Sequence, residues 1–205
     1  MNRQRPSKKT NNNGPKLKHG FKTFAEKTSI EYRKQLNLKP NDFLCAFKLC
    51  DHLKVPLLTP SEVSNLSPNH LSRLLGAGSD DWSAATIPIG NGEYIIIHNN
   101  VHSLPRQQSN VMHELGHIIC KHESPDTALY DLPSVLRSYN SDQEDEAIWL
   151  GAALQLPRDL LVYHLRQNNT IQEIATLCNA SEEMVQYRIN ITGAKQQLGR
   201  ERKYH

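Results

Sequence analysis

No apolar run in this sequence approaches the roughly 18 residues that a membrane-spanning helix requires. The longest compact one, Tyr94-Ile95-Ile96-Ile97, is strand-length. The start, Met1-Asn2-Arg3-Gln4-Arg5-Pro6, leads into no apolar segment, so no secretory leader is expected. Cysteine is scarce: Cys45, Cys50, Cys120 and Cys178 are the four, and none are spaced as Cys-x-x-Cys. That spacing argues against a zinc ribbon or a thioredoxin-type site. Reduced thiols in the cytoplasm are the expectation. Acid is missing from residues 1–20, which hold six Lys or Arg. Residues 195–205 hold four against one, so the overall +3 conceals a body of −6 over residues 21–194. A nearly neutral chain is thus an acidic body between two basic ends.

What is present suits one α+β domain with a small appendage. Hydrophobic residues make up 38% of 205, enough for a core without disulfide staples. Residues 1–20, rich in Asn, Lys, Arg and Pro, are expected to be a disordered tail. An amphipathic pattern runs over Phe21, Phe24, Ala25, Ile30 and Tyr32, and a second helix is expected from Phe43 to about Lys54. Residues 82–98 read as a hairpin turning at Gly90-Asn91-Gly92. A long helix is predicted from about Arg106 to Lys121 and another from about Ser141 to Leu156, stopped by Pro157. The body is bounded at 21–160. Residues 161–194 follow as a helix-turn-helix-like segment, with helices over 170–178 and 181–191. Residues 195–205 are expected to be a solvated basic tail.

The most informative segment is His113-Glu114-Leu115-Gly116-His117. A spacing of four puts both imidazoles on one helix face, one turn apart, where they can share a tetrahedral zinc ion. Glu114 is then held beside the metal, able to take a proton from a water whose pKa the ion lowers. The apolar flanks Val111, Met112, Leu115, Ile118 and Ile119 supply a face for burial. A third protein ligand is needed. Positions three and six past His117 hold Cys120 and Glu123, which excludes the metzincin pattern. His122 is five past His117, and five steps of 100° place it off the ligand face, toward solvent. The acidic helix Ser141-Asp142-Gln143-Glu144-Asp145-Glu146 offers two acids. Glu144 shares a face with Ala147, Ile148 and Gly151, where the small residues permit close helix approach; Glu146 shares one with Trp149, Leu150 and Ala153. Glu144 also has capping-box spacing from Ser141. Spacing alone leaves both glutamates open.

These elements together resemble the ImmA/IrrE family of zincin-like metallo-endopeptidases, from about Phe21 to Gly193. The resemblance rests on Phe21-Lys22-Thr23-Phe24-Ala25-Glu26, on Arg106-Gln107 ahead of the motif, and on the motif itself. It continues through Glu144-Asp145-Glu146-Ala147 to Leu154-Gln155-Leu156-Pro157, and through Ile174-Ala175 to Arg188-Ile189. It implies a zincin-like fold, with a small antiparallel sheet beside the active-site helix. It further implies a zinc endopeptidase acting on a DNA-binding transcriptional repressor of a phage or mobile-element switch. His113 and His117 match the metal histidines, Glu114 the general base and Glu144 the third ligand. The sequence departs from the family at Ser109-Asn110-Val111-Met112 and at Ile148, where an amide is usual.

Three further expectations concern substrate and partners. Strand Glu93–His98 is a free edge able to hold an extended substrate by strand addition. Tyr94, Tyr130, Tyr139 and His98 are candidates for stabilising the developing oxyanion. Direct nucleic-acid binding is not expected, because Glu182 and Glu183 stand where a recognition helix would meet phosphates. The competing class of function is a regulatory protein that grips a repressor without cutting it.

Overall fold

The computed structural model describes residues 16–122 and 141–201. The expected tail over residues 1–15 and the loop over 123–140, with Tyr130 and Tyr139, lie outside the described residues. Helix α1 (Phe21–Gln35) is followed by α2 (Ala46–Leu53), β1 (Leu57–Leu58) and α3 (Pro68–Leu75). The hairpin β2 (Ala84–Gly90) and β3 (Glu93–His98) comes next, then α4 (Leu104–Cys120) and α5 (Ser141–Gln155). Four helices complete the chain: α6 (Arg158–Arg166), α7 (Ile171–Leu177), α8 (Glu182–Thr192) and α9 (Ala194–Glu201). No helix among the described residues is long and apolar enough to cross a membrane.

The hairpin forms as the sequence predicts. Gly90, Asn91 and Gly92 all have positive φ, at 99°, 54° and 75°, the left-handed geometry that a tight reversal needs. Beyond the hairpin the sheet differs from expectation in two ways. It is mixed, because β1 runs parallel to β3 with Leu57 opposite Ile96 and Leu58 opposite Ile97. Its order is β1-β3-β2, so β3 is the central strand and β2 is the edge. Glu93–His98 is therefore no free edge. Pro88 inside β2 fits this order, since proline cannot donate to a ladder and is confined to edges and bulges.

Helix α2 starts three residues later than predicted. The Gln108 side chain explains why: its amide donates to the Leu44 carbonyl at 2.8 Å and accepts from the Ala46 N–H at 3.0 Å. Those backbone groups are thereby satisfied without a first helical turn. At the other end, residues 195–201 belong to α9, and Leu198 packs against the C-terminal core, so the described part of the expected basic tail is helical.

Two apolar clusters organise the packing. The larger gathers Phe21 and Ala25 of α1, Leu49 of α2, Ile96 of β3, Val111, Met112 and Leu115 of α4, and Leu150 and Leu154 of α5. The smaller joins α6 to α9 through Leu160, Leu161, Ile174, Val185 and Ile189. Two buried arginines bind the layers. Arg33 on α1 donates to Ser29 Oγ at 2.6 Å, to the Asp42 carbonyl at 2.9 Å and to the Gln155 carbonyl at 3.4 Å. Arg188 on α8 pairs with Glu26 on α1 at 2.6 Å and donates to the Leu156 carbonyl at 2.9 Å. All four cysteines are free thiols. Burial pushes Cys50 up to about 12 and Cys120 and Cys178 to about 11, which leaves them unreactive near neutral pH.

Candidate metal centre

Helix α4 carries the His-Glu-x-x-His segment, and its apolar side locks against the core through Val111, Met112 and Leu115, all fully buried. The opposite side of the helix turns His113, Glu114 and His117 toward the sheet and α5. Helix α5 can come close because glycines sit at the crossing. A Cβ built on Gly116 would lie 2.8 Å from the Ala147 carbonyl oxygen. One built on Gly151 would lie 2.8 Å from the Met112 carbonyl oxygen. The small residues that predicted close approach therefore act at this contact.

The approach delivers Glu144 to the histidines. His113 Nε2 and His117 Nε2 are 3.2 Å apart. Glu144 Oε2 lies 3.4 Å from His113 Nε2, and Oε1 lies 3.4 Å from His117 Nε2. Among the described residues this is a group whose ligand atoms could hold a metal ion. The donor chemistry fits a cation. Two imidazole nitrogens and a carboxylate converge, and burial with neighbouring imidazoles pushes His117 down to about 4. His113 is also lowered, mainly by burial, against the pull of Glu144. Both are therefore neutral at pH 7, the form in which imidazole ligates a metal. Glu144 shifts upward, first from burial and then from the Glu114 charge. A cation at the centre of the three would reverse that penalty.

Glu114 is placed between the ligand group and the sheet. Thr86 of the edge strand donates from Oγ1 to Glu114 Oε2 at 2.6 Å. Burial raises the Glu114 pKa, and hydrogen bonds from Thr86 moderate the rise. Thr86 carries no local sequence signal for this contact, because it stands on β2, and β2 rather than Glu93–His98 is the edge of the described sheet. His98 is buried, and its ring packs on Phe47 with centroids 5.5 Å apart. Ile148, where the family usually carries an amide, is exposed and outside this group.

His122 contradicts its expected solvent-facing position. Its side chain is only 6% exposed, and Nδ1 lies 3.0 Å from His117 Nδ1. The helical wheel fails because the helix ends at Cys120. Lys121 adopts a left-handed conformation, φ 54°, and the His122 N–H returns to the His117 carbonyl at 3.0 Å. This helix-terminating turn folds His122 back beneath the ligand. Glu146, the rival ligand, faces His122 Nε2 at 3.1 Å and Lys18 Nζ at 3.2 Å instead of the three-residue group.

Comparison with protein-family models gives a match over residues 67–190, more than half of the chain, to the model described as Peptidase_M78, IrrE N-terminal-like domain. The matched span contains the hairpin, α4 and α5, and so every residue of the ligand group. No curated protein and no solved structure matches the chain.

Proposed function

Because the chain belongs to the Peptidase M78 family, the IrrE N-terminal-like peptidases, we propose that it is a zinc-dependent endopeptidase. The observation that carries this reading is the convergence of two imidazole nitrogens and one carboxylate: His113 Nε2 and His117 Nε2 are 3.2 Å apart, and each lies 3.4 Å from one of the two Glu144 oxygens. A tetrahedral zinc site with ligand bonds of about 2.0–2.1 Å has ligand-to-ligand edges of about 3.3–3.4 Å. His113, His117 and Glu144 would hold the ion. Zinc, when bound, supplies Lewis acidity that polarises a scissile carbonyl and lowers the pKa of water.

The protein's own groups do the rest. Glu114 accepts the proton of the attacking water at a carboxylate whose basicity burial has raised. It then delivers that proton to the leaving amine. Thr86 fixes one carboxylate oxygen, so Glu114 meets the water through the other. The outer edge of β2, unpaired among the described residues and adjacent to Glu114, is where an extended substrate would add as a further strand. The substrate is a protein, and a DNA-binding repressor of a phage or mobile-element switch is the class that the family resemblance favours. Helices α7 and α8 would serve as a helix-turn-helix-like docking or structural module, with DNA reached only through the repressor.

Co-expression with a candidate DNA-binding repressor tests the reading. Mass spectrometry should find cleaved repressor with wild type and intact repressor with Glu114→Gln. If Glu114→Gln still relieved repression, a non-cleaving binding function would replace the peptidase.

A further inference from the structure

Behind the three ligand residues lies a second line of polar groups that the peptidase reading leaves without a role. It runs from His117 Nδ1 to His122 Nδ1 at 3.0 Å, from His122 Nε2 to Glu146 Oε2 at 3.1 Å, and from Glu146 Oε1 to Lys18 Nζ at 3.2 Å. The two middle members are enclosed, with His122 6% and Glu146 4% exposed, whereas the Lys18 side chain reaches in from the surface. Lys18 Nζ hydrogen-bonds Glu146 Oε2 at 3.4 Å, whereas buried Oε1 has only the charge of that ammonium group to offset its loss of water.

One proton order satisfies every contact of the line. A carboxylate only accepts, so His122 Nε2 must carry the hydrogen it shares with Glu146. With a single ring hydrogen, placed on Nε2, His122 has a bare Nδ1 that accepts from His117 Nδ1–H. His117 is left with its Nε2 lone pair bare, and that is the atom facing His113 Nε2 and Glu144. The backbone of His122 already terminates α4, so its side chain is not needed as a cap. A ligating histidine held through its other ring nitrogen is oriented and made more basic toward the metal.

We propose that His122 and Glu146 are positioning residues of the metal centre, with Lys18 anchoring the carboxylate end. This rests on His113, His117 and Glu144 holding zinc, and the test separates the two claims. Zinc affinity of the full chain is measured by competition with a chromogenic chelator. Wild type is expected to bind one equivalent, and His122→Phe, which fills the space without an acceptor, to bind about 10–100-fold more weakly. His122→Asn, whose side-chain oxygen can accept from His117, should recover part of the loss. Nitrogen-15 NMR of the histidine rings in metal-free wild type should place the His122 proton on Nε2 and the His117 proton on Nδ1. Wild-type affinity in His122→Phe, or a His122 proton on Nδ1, overturns the proposal while the metal reading stands. Failure of wild type to take up zinc overturns both. If His122→Phe does not fold, the wild-type tautomers decide alone.

Discussion

Gly116 meets Ala147 with no room for a methyl group: a Cβ on Gly116 would lie 2.8 Å from the Ala147 carbonyl oxygen and 3.1 Å from its Cα. Gly151 makes the reciprocal approach to Met112 and His113 backbone, at 2.8 to 3.0 Å. The distance between α4 and α5, and hence between Glu144 and the two histidines, is set by these absent side chains.

Gly151→Ala should therefore act at a distance from the ligands. The added methyl meets only backbone, so the helices must part, at a cost of about 1–3 kcal/mol. Chemical denaturation should show that loss, and chelator competition should show weaker metal binding although no ligand has changed.

The two glutamates of α5 should separate cleanly. Glu144→Ala should abolish stoichiometric zinc in metal analysis, since it removes the carboxylate of the ligand group. Glu146→Ala should retain one equivalent when zinc is in excess, and only its affinity should fall. Glu114→Gln should keep full zinc and lose hydrolysis.

Arg188 is wholly buried and its Nη2 is neutralised by Glu26. Removing one partner of such a pair leaves a stranded charge or an empty site, typically costing about 3–5 kcal/mol. Arg188→Ala should lose about that much in urea denaturation. The loss should appear as early melting of the C-terminal helices, because the same guanidinium holds the Leu156 carbonyl at the α5–α6 junction.

His98 supplies an acid-side prediction. Burial lowers its pKa in the folded protein, whereas in the unfolded chain it returns to about 6.5. The unfolded state then binds more protons below that pH. The stability from keeping His98 neutral is full above about pH 6.5 and is lost as pH falls through the folded pKa. His98→Phe, which preserves packing on Phe47, should flatten the fall in melting temperature between pH 7 and pH 5. An unchanged slope would show that other groups govern acid sensitivity.

The sequence disclosed most of what lies along one element and less of what joins elements. Helix α4, the hairpin turn and the pairing of His113 with His117 follow from local spacing and positive-φ residues. Glu144 and Glu146 could not be separated by helical geometry, because the choice depends on how α5 is rotated against α4; family resemblance favoured Glu144, and the structure brings Glu144 to the histidines. β1 is two residues long and carries no periodic signal, so the central position of β3 was hidden, although Pro88 marked β2 as an edge. His122 was misplaced because its position was projected along a helix that Lys121 had already ended. Lys18 reaches Glu146 across 128 positions, a contact no local pattern records.

Ser29 on α1 donates to the Ala153 carbonyl at 2.7 Å, and Arg33 reaches the Gln155 carbonyl. Helix α1 thus finds these partners only when the end of α5 is present. The histidine pair emerges earlier, without its carboxylate. The ligand group is therefore complete only in a chain that extends through Glu144. A chain ended before residue 155 would forfeit the core and the chemistry together.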